Sequence, residues 1–336
     1  MIKILVTGVA GFIGFHTAQK LLALGFQVIG IDNLNTYYDI QLKIDRLKEL
    51  GISRNSEDFI RQVETQSVKH HSFSFIQQDI VHREQMFTLF EKHKFDVVIH
   101  LAAQAGVRYS LEKPEEYIQA NVVGFANVLE ASRKHKVGKL LYASSSSVYG
   151  NKKEGPFKES DQVDEPYSMY AATKKSNELM AFTYSHLYQM DIIGLRFFTV
   201  YGPWGRPDMA AFLFTNAILN SKPIQVFNYG DLWRDFTFVD DIVRAIAALV
   251  NKESIKSRHE IFNIGNGNPV KLLDFISTLE EVLQTKANLK LMSMQDGDVY
   301  QTFASTAKLQ SFIDFSPEVN IQEGLQRFAD WYKSYY

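Results

Sequence analysis

The chain contains no cysteine, so disulfide staples and thiolate nucleophiles are both excluded. No apolar run is long enough to cross a bilayer, and no membrane segment is expected. Neither sign of charge dominates: 36 basic against 38 acidic residues leave a net charge of −2, without the basic excess that nucleic acid or an anionic lipid surface calls for. The nine histidines show no His-Glu-x-x-His or comparable ligand spacing, so no metal is expected. The apolar start is broken by glycines, His16 and Lys20 and has no small-residue cleavage site after it, unlike a signal peptide; a cytoplasmic location is the expectation. What remains has the balance of a globular protein, 46% hydrophobic and 22% charged. Its 336 residues suffice for one large or two ordinary domains.

The feature that organises the chain comes first. The apolar run Ile2 to Val6 passes into Val6-Thr7-Gly8-Val9-Ala10-Gly11-Phe12-Ile13-Gly14 and then into an amphipathic segment, which reads as a buried strand turning directly into a helix. Gly8 permits the sharp turn, Gly11 permits close approach of backbone to a pyrophosphate, and Gly14 permits close packing of helix on strand. The N–H groups that open the helix, at Phe12 and Ile13, suit an anion. A second apolar strand, Gln27 to Ile31, ends at Asp32, eighteen residues past Gly14. That is where a ribose-binding acid is expected, and a carboxylate there favours NAD over NADP.

The polar and aromatic loop Asn33 to Asp39 leads into a helical pattern from Ile40 to Leu50, and residues 51 to 71 read as a surface excursion. Phe73 to Ile76 reads as a strand ending at Gln78-Asp79-Ile80, where Asp79 either reaches an adenine amino group or caps the next helix. Phe95 to Leu101 is a strand buried on both faces that opens into Ala102-Ala103-Gln104, small enough to let a cofactor approach the carboxyl edge of a sheet. One long helix is expected from Pro114 to Lys136, carrying Asn121. Leu140 to Ala143 is the next strand and delivers Ser144-Ser145-Ser146-Ser147. A helix from Tyr170 to Tyr188 and a strand from Ile192 to Val200 follow, after which strict alternation breaks down into shorter elements.

Tyr170 and Lys174 lie four apart on the expected helix and share one face. Tyrosine, with an ordinary pKa near 10, becomes a base at neutral pH only with about 4 kcal/mol of help, since one unit is 1.36 kcal/mol. A lysine and an oxidised nicotinamide held in a desolvated cleft suffice, because a pair at about 4 Å with an effective dielectric near 20 interacts by roughly 4 kcal/mol.

Gly8-x-x-Gly11-x-x-Gly14, the serine strand and Tyr170-x-x-x-Lys174, in this order, resemble the extended short-chain dehydrogenase/reductases. Finer matches at Asp32 to Asp39, Leu101 to Arg108, Arg196 to Met209 and Arg234-Asp235-Phe236-Thr237 resemble the UDP-glucuronate 4-epimerases within them. The resemblance implies an α/β fold, a Rossmann-type doubly wound parallel sheet with a smaller mixed α/β C-terminal substrate lobe. Residues 1–200 would bind NAD, with 235–265 returning to that domain, and 201–234 with 266–336 would form the UDP-sugar lobe.

The implied activity is C4 epimerisation of a UDP-sugar, UDP-glucuronate to UDP-galacturonate, through a 4-keto intermediate with transient hydride transfer to tightly bound NAD. Tyr170, Lys174 and Ser145 are the implied catalytic set, Ser145 being fixed by its distance from Val148-Tyr149-Gly150. The implied cofactor contacts are Gly8, Gly11, Phe12, Ile13, Gly14, Asp32, Asn33, Asp79, Ile80, Leu101, Ala102, Ala103, Gln104, Asn121, Tyr170, Lys174 and Phe197. Those for the substrate are Arg108, Ser145, Ser146, Ser147, Thr199, Arg206, Val226, Arg234, Gln295 and Asp298. Arg234 matches a diphosphate-binding arginine. Arg206 is assigned to the sugar carboxylate, with an ion pair to Asp208 as the other possibility. Proline is usual in the family at Asp296, which puts the rigidity of the 294–299 loop in question.

Sister decarboxylases and 4,6-dehydratases carry an acidic residue where this chain has Ser147, which favours simple epimerisation. A UDP-glucose or UDP-N-acetylglucosamine 4-epimerase is the rival within the class, and a non-catalytic NAD-binding sensor the rival outside it. A homodimer paired through the long helices from Pro114 and Tyr170 onward is also expected.

Overall fold

The computed structural model describes residues 1–53, 62–152, 155–252, 257–294 and 299–336. Seven strands, β1 (Lys3–Thr7), β2 (Gln27–Asp32), β3 (Glu64–Gln66), β4 (Phe73–Gln77), β5 (Val97–His100), β6 (Lys139–Ser145) and β7 (Ile192–Phe197), join the strand His259–Ile264 in one eight-stranded sheet. Its order is His259–Ile264, β7, β6, β5, β1, β2, β4, β3. β1 runs parallel to β2 and β5, β2 to β4 and β5 to β6, while β3 is an antiparallel edge on β4. The central strands are near-continuous apolar runs, as covered faces require. The order reverses between β1 and β5, which opens a crevice beyond the carboxyl ends of those two strands. This is the Rossmann-type doubly wound sheet that the sequence implies.

The chain divides into two compact units: Met1–Val148 with Ser168–Arg196 and Ile246–Phe262, and Tyr149–Tyr167 with Phe197–Ala245 and Asn263–Tyr336. In the first unit, Leu5, Ile29, Ile31, Met86, Phe90, Val98, Phe125 and Leu129 are buried in a single apolar cluster that fixes the helices on the sheet. Among its described residues the second unit contains three two-stranded sheets: Thr199–Tyr201 with Phe236–Phe238, Trp233–Arg234 with Val270–Lys271, and Pro223–Val226 with Asn288–Leu291.

Three segments differ from expectation. The helix expected from Pro114 to Lys136 is α-helical at Pro114–Tyr117, widens to a π-helix at Ile118–Gly124, and resumes as α-helix at Phe125–Lys134. The cause is a polar lock: the Asn177 side-chain amide donates to the Asn121 carbonyl at 2.6 Å, giving that carbonyl a partner outside its own helix. The strand expected from Ile192 to Val200 breaks at Phe198, whose N–H donates to the Ile264 carbonyl at 3.0 Å; Thr199–Tyr201 then pairs with Phe236–Phe238 in the second unit. Within the 51–71 excursion, Glu64–Gln66 is a strand, and 54–61 lies outside the described residues.

Candidate active site

The glycine turn is assembled by backbone alone. The N–H groups of Gly8 and Val9 both donate to the Ile31 carbonyl, at 2.8 and 3.1 Å, and Gly11 N–H donates to Gly8 O at 2.9 Å. Gly8 sits at φ +72°, and a Cβ there would lie 2.8 Å from Ala102 N; one on Gly14 would lie 2.0 Å from Gly8 O. The helix Phe12–Ala23 opens at Gly11 with no side-chain cap, so a ligand anion has first-turn donors at Phe12 and Ile13. Asp32, 7% exposed at the end of β2, accepts from Leu34 N–H at 2.8 Å. A close-approach glycine turn, an uncapped helix start and a carboxylate at the end of the next strand fit a dinucleotide.

The walls of this crevice are tied together by short polar links. Thr7 Oγ1 lies 2.8 Å from His100 Nδ1 and accepts from Ala102 N–H at 3.1 Å, which fixes Leu101-Ala102-Ala103 beyond β5. Burial, and then the Lys174 charge, pushes the His100 imidazole down to about 3, so it is neutral at physiological pH. Asn121, 1% exposed, accepts from Gln104 N–H at 2.8 Å and donates to Gln104 O at 3.0 Å, which fixes the peptide of Gln104. The Gln104 side-chain Nε2 is buried with no hydrogen-bond partner among the described residues, a donor available to a ligand. Asp79 does not cap the following helix, whose N-cap is His82; its carboxylate accepts from Val81 N–H at 3.0 Å and from the Asn33 amide at 2.9 Å. Ile80 is buried where a Cβ on Gly124 would collide with it.

Ser168 caps the helix Met169–Tyr188, its Oγ accepting from Ala171 N–H at 3.1 Å. Tyr170 and Lys174 occupy successive turns of one face, with Lys174 Nζ 5.9 Å from the Tyr170 ring centroid. That amine is 2% exposed and donates to Ala143 O at 2.9 Å, one residue before Ser144-Ser145 at the end of β6. Ser145 Oγ accepts from Ser147 N–H at 3.1 Å and lies 3.1 Å from Ser147 Oγ; Ser146 is half-buried beside them. Thus Ser145, Lys174 and Tyr170 are all carried by the end of β6 and the helix stitched to it.

Burial pushes the Lys174 amine down to about 7. An amine depressed on folding burdens the fold with the whole cost of its buried charge below pH 7, and that cost is relieved as the pH rises from about 7 toward 10. The stability advantage of Lys174→Met over the wild type is therefore expected to shrink by about 2 kcal/mol between about pH 7 and pH 9. Urea midpoints of cofactor-free protein measure it; an unchanging difference across that window would contradict the buried amine.

Of the residues implied for the substrate, Arg108 is exposed in the first unit and Ser145, Ser146 and Ser147 are at the end of β6. Thr199, Arg206, Val226 and Arg234 belong to the second unit, as does Phe197, which is implied for the cofactor. Arg206 Nε and Nη2 fork onto the Asp208 carboxylate at 3.0 and 2.5 Å, so the ion pair weighed from the sequence exists. Arg234 Nη1 donates to the carbonyls of Trp233 and Tyr300 at 2.9 and 3.2 Å. Thr199 N–H donates to Asp235 O at 3.1 Å, and Val226 is fully buried. Gln295, Asp296 and Asp298 lie outside the described residues.

Sequence reasoning missed Glu178, Lys43 and Arg46. Glu178 continues the Tyr170/Lys174 stripe by one more four-residue step, a spacing that could have found it. It accepts from Ser144 Oγ at 2.7 Å and from Arg196 Nε and Nη2 at 2.8 and 2.9 Å. Lys43 and Arg46 are cations on the buried face of the helix Ile40–Glu49.

Residues 4–265 match the NAD dependent epimerase/dehydratase family. Protein CapI of Staphylococcus aureus is 48% identical, with 99% of each chain covered. The UDP-glucuronate 4-epimerase of Thermodesulfobacterium geofontis is 43% identical over 98% of this chain and 95% of its own. The crystal structure of the UDP-glucuronic acid 4-epimerase from Bacillus cereus in complex with UDP-glucuronic acid and NAD superimposes with a TM-score of 0.88 at 34% identity, covering 100% of both chains.

Proposed function

The chain belongs to the NAD dependent epimerase/dehydratase family, and from that premise we propose that it is an NAD-dependent UDP-sugar 4-epimerase converting UDP-glucuronate to UDP-galacturonate. The observation that carries this reading is the end-to-end similarity to the Bacillus cereus enzyme, described as binding UDP-glucuronic acid and NAD. The cradle of Gly8, Gly11 and Gly14 with Asp32, Asn33, Asp79, Ile80, Leu101 to Gln104, Asn121 and Phe197 would hold the dinucleotide. Residues 1–200 with 235–265 would serve the cofactor, and 201–234 with 266–336 the sugar nucleotide.

NAD, when bound, supplies a reversible hydride acceptor for C4 of the sugar. Tyr170 Oη takes the proton of the C4 hydroxyl and later returns it, Ser145 Oγ steers that proton, and the Lys174 ammonium favours the tyrosinate. The 4-keto sugar must turn over between the two halves of the reaction, so the pocket has to hold the diphosphate firmly and the ring loosely. Arg234 suits the diphosphate, a bidentate target for guanidinium. Arg206 suits the sugar carboxylate, which would share or replace Asp208 on the same fork. Arg108, Ser146, Ser147, Thr199 and Val226, with Gln295 and Asp298, complete the proposed set.

Proton NMR with UDP-glucuronate and, separately, UDP-glucose, with no NAD added, tests the proposal. Growth of UDP-galacturonate signals is expected. Turnover of UDP-glucose alone would keep the chemistry and reassign the pocket to a neutral sugar; silence with both, even after NAD is supplied, would refute the enzyme.

A homodimer and a cytoplasmic location belong to the same proposal. On the helix Met169–Tyr188, Leu179, Phe182 and Leu187 are each 58–61% exposed, an apolar face suited to a second copy. Among the described residues no helix is long and apolar enough to cross a membrane. Light scattering and cell fractionation check the two points, and a monomer mass at micromolar concentration would contradict the first.

A further inference from the structure

The helix Ile40–Glu49 buries Leu42, Ile44 and Leu47, as an amphipathic helix should, but its buried face also carries Lys43 and Arg46, 5% and 0% exposed. Buried cations persist only with partners, and each of these has partners at the dinucleotide cradle. Arg46 Nη1 donates to Ala10 O, inside the glycine turn, at 2.9 Å and to Tyr38 Oη at 2.8 Å. Lys43 Nζ donates to Asn35 Oδ1 at 2.8 Å, stands 3.5 Å from Asp32 Oδ1, and lies 5.4 Å from the Tyr38 ring centroid.

The second cation stands where the adenosine ribose is read. Asp32 disfavours NADP because its carboxylate repels a 2′-phosphate, while it accepts hydrogen bonds from the 2′-hydroxyl of NAD. Lys43 works against half of that discrimination. An ammonium 3.5 Å from a carboxylate oxygen attracts the same phosphate that the carboxylate repels, and burial of both side chains spares the pair from screening by salt. We propose that Lys43 makes the ribose end of the cradle a latent 2′-phosphate site, masked in the native protein by Asp32. The preference for NAD then rests on one carboxylate poised over a ready-made anion site. Removing that carboxylate leaves a buried ammonium whose hydrogen-bonded partner among the described residues is the neutral Asn35 amide, a strong incentive to take up an anion.

The proposal rests on the dinucleotide site, and its test separates the two. Full-length wild type, Asp32→Ser, Lys43→Met and the double variant are each incubated with equal excess NAD and NADP and gel-filtered. Released dinucleotides are then counted by chromatography. The wild type is expected to retain NAD. Asp32→Ser should raise the NADP:NAD ratio by about 30-fold or more, ~2 kcal/mol. Lys43→Met should lower the ratio below the wild-type value, and the double variant should lose the NADP gain. Equal gain in Asp32→Ser and the double variant, or no gain in Asp32→Ser, overturns the role of Lys43. Should Asp32→Ser fail to fold, Asp32→Asn, nearly isosteric, carries the same expectations. A wild type that retains neither dinucleotide would instead refute the cradle itself.

Discussion

Replacing Tyr170 by phenylalanine is expected to cut turnover roughly 10³-fold, about 4 kcal/mol of transition-state stabilisation, while the protein still binds NAD and UDP-sugar. The contacts that Tyr170 makes through its ring and its backbone survive the substitution. Its ring meets Tyr117 edge to face at 6.1 Å, and its carbonyl accepts from Thr173 Oγ1 at 2.8 Å. The helix keeps its Ser168 cap. Phenylalanine preserves all three and removes one oxygen. The loss should therefore appear in kcat, with little change in KM or in the melting temperature, since the deleted group does its work on a proton in flight. Initial rates by NMR, with NAD content and melting recorded on the same preparation, give the answer. A variant within tenfold of wild-type turnover would place the base elsewhere.

Much of this was legible in the sequence because it depends on local rules. A strand that becomes a helix at Gly8, Gly11 and Gly14 must bring backbone to a ligand, and a four-residue spacing must align Tyr170 with Lys174 whatever surrounds them. What escaped depends on partners distant in the chain. No periodicity reports that Asn177 will claim the Asn121 carbonyl and widen a helix fifty-six residues earlier. Nor does composition report that Lys43 and Arg46, set among Leu42, Ile44 and Leu47, will be buried against the cradle. A cation on a polar-looking helix reads as solvated until its neighbours are known. The break at Phe198 was hidden for a related reason: an apolar run specifies that a segment is buried, not which sheet it joins.

The buried pair behind the active site is the sharpest test of that long-range part. Glu178 and Arg196 are each 3% exposed, joined by two parallel hydrogen bonds of 2.8 and 2.9 Å, with Ser144 Oγ on the same carboxylate. The Tyr142 hydroxyl is buried near them, its pKa raised by desolvation and then by the Glu178 charge. Glu178→Ala strips the guanidinium of its forked partner in a dry site, and breaking such a pair costs about 3–5 kcal/mol. A fall of roughly 10 °C in melting temperature is expected. Combining it with Arg196→Met should recover at least half of the loss, because the penalty arises from the stranded charge more than from the attraction itself.

Catalysis should suffer as well. Lys174 holds the Ala143 carbonyl and Glu178 holds the Ser144 hydroxyl, so the helix bearing Tyr170 is pinned to the end of β6 at two consecutive residues just before Ser145. Loosening one pin should lower kcat by less than Tyr170→Phe does, and the double variant should regain stability without regaining that rate, since Ser144 remains unheld. Thermal melts and NMR rates on the single and double variants separate the two effects. A single variant that melts within about 2 °C of the wild type would mean the pair is not the uncompensated burden that its burial implies.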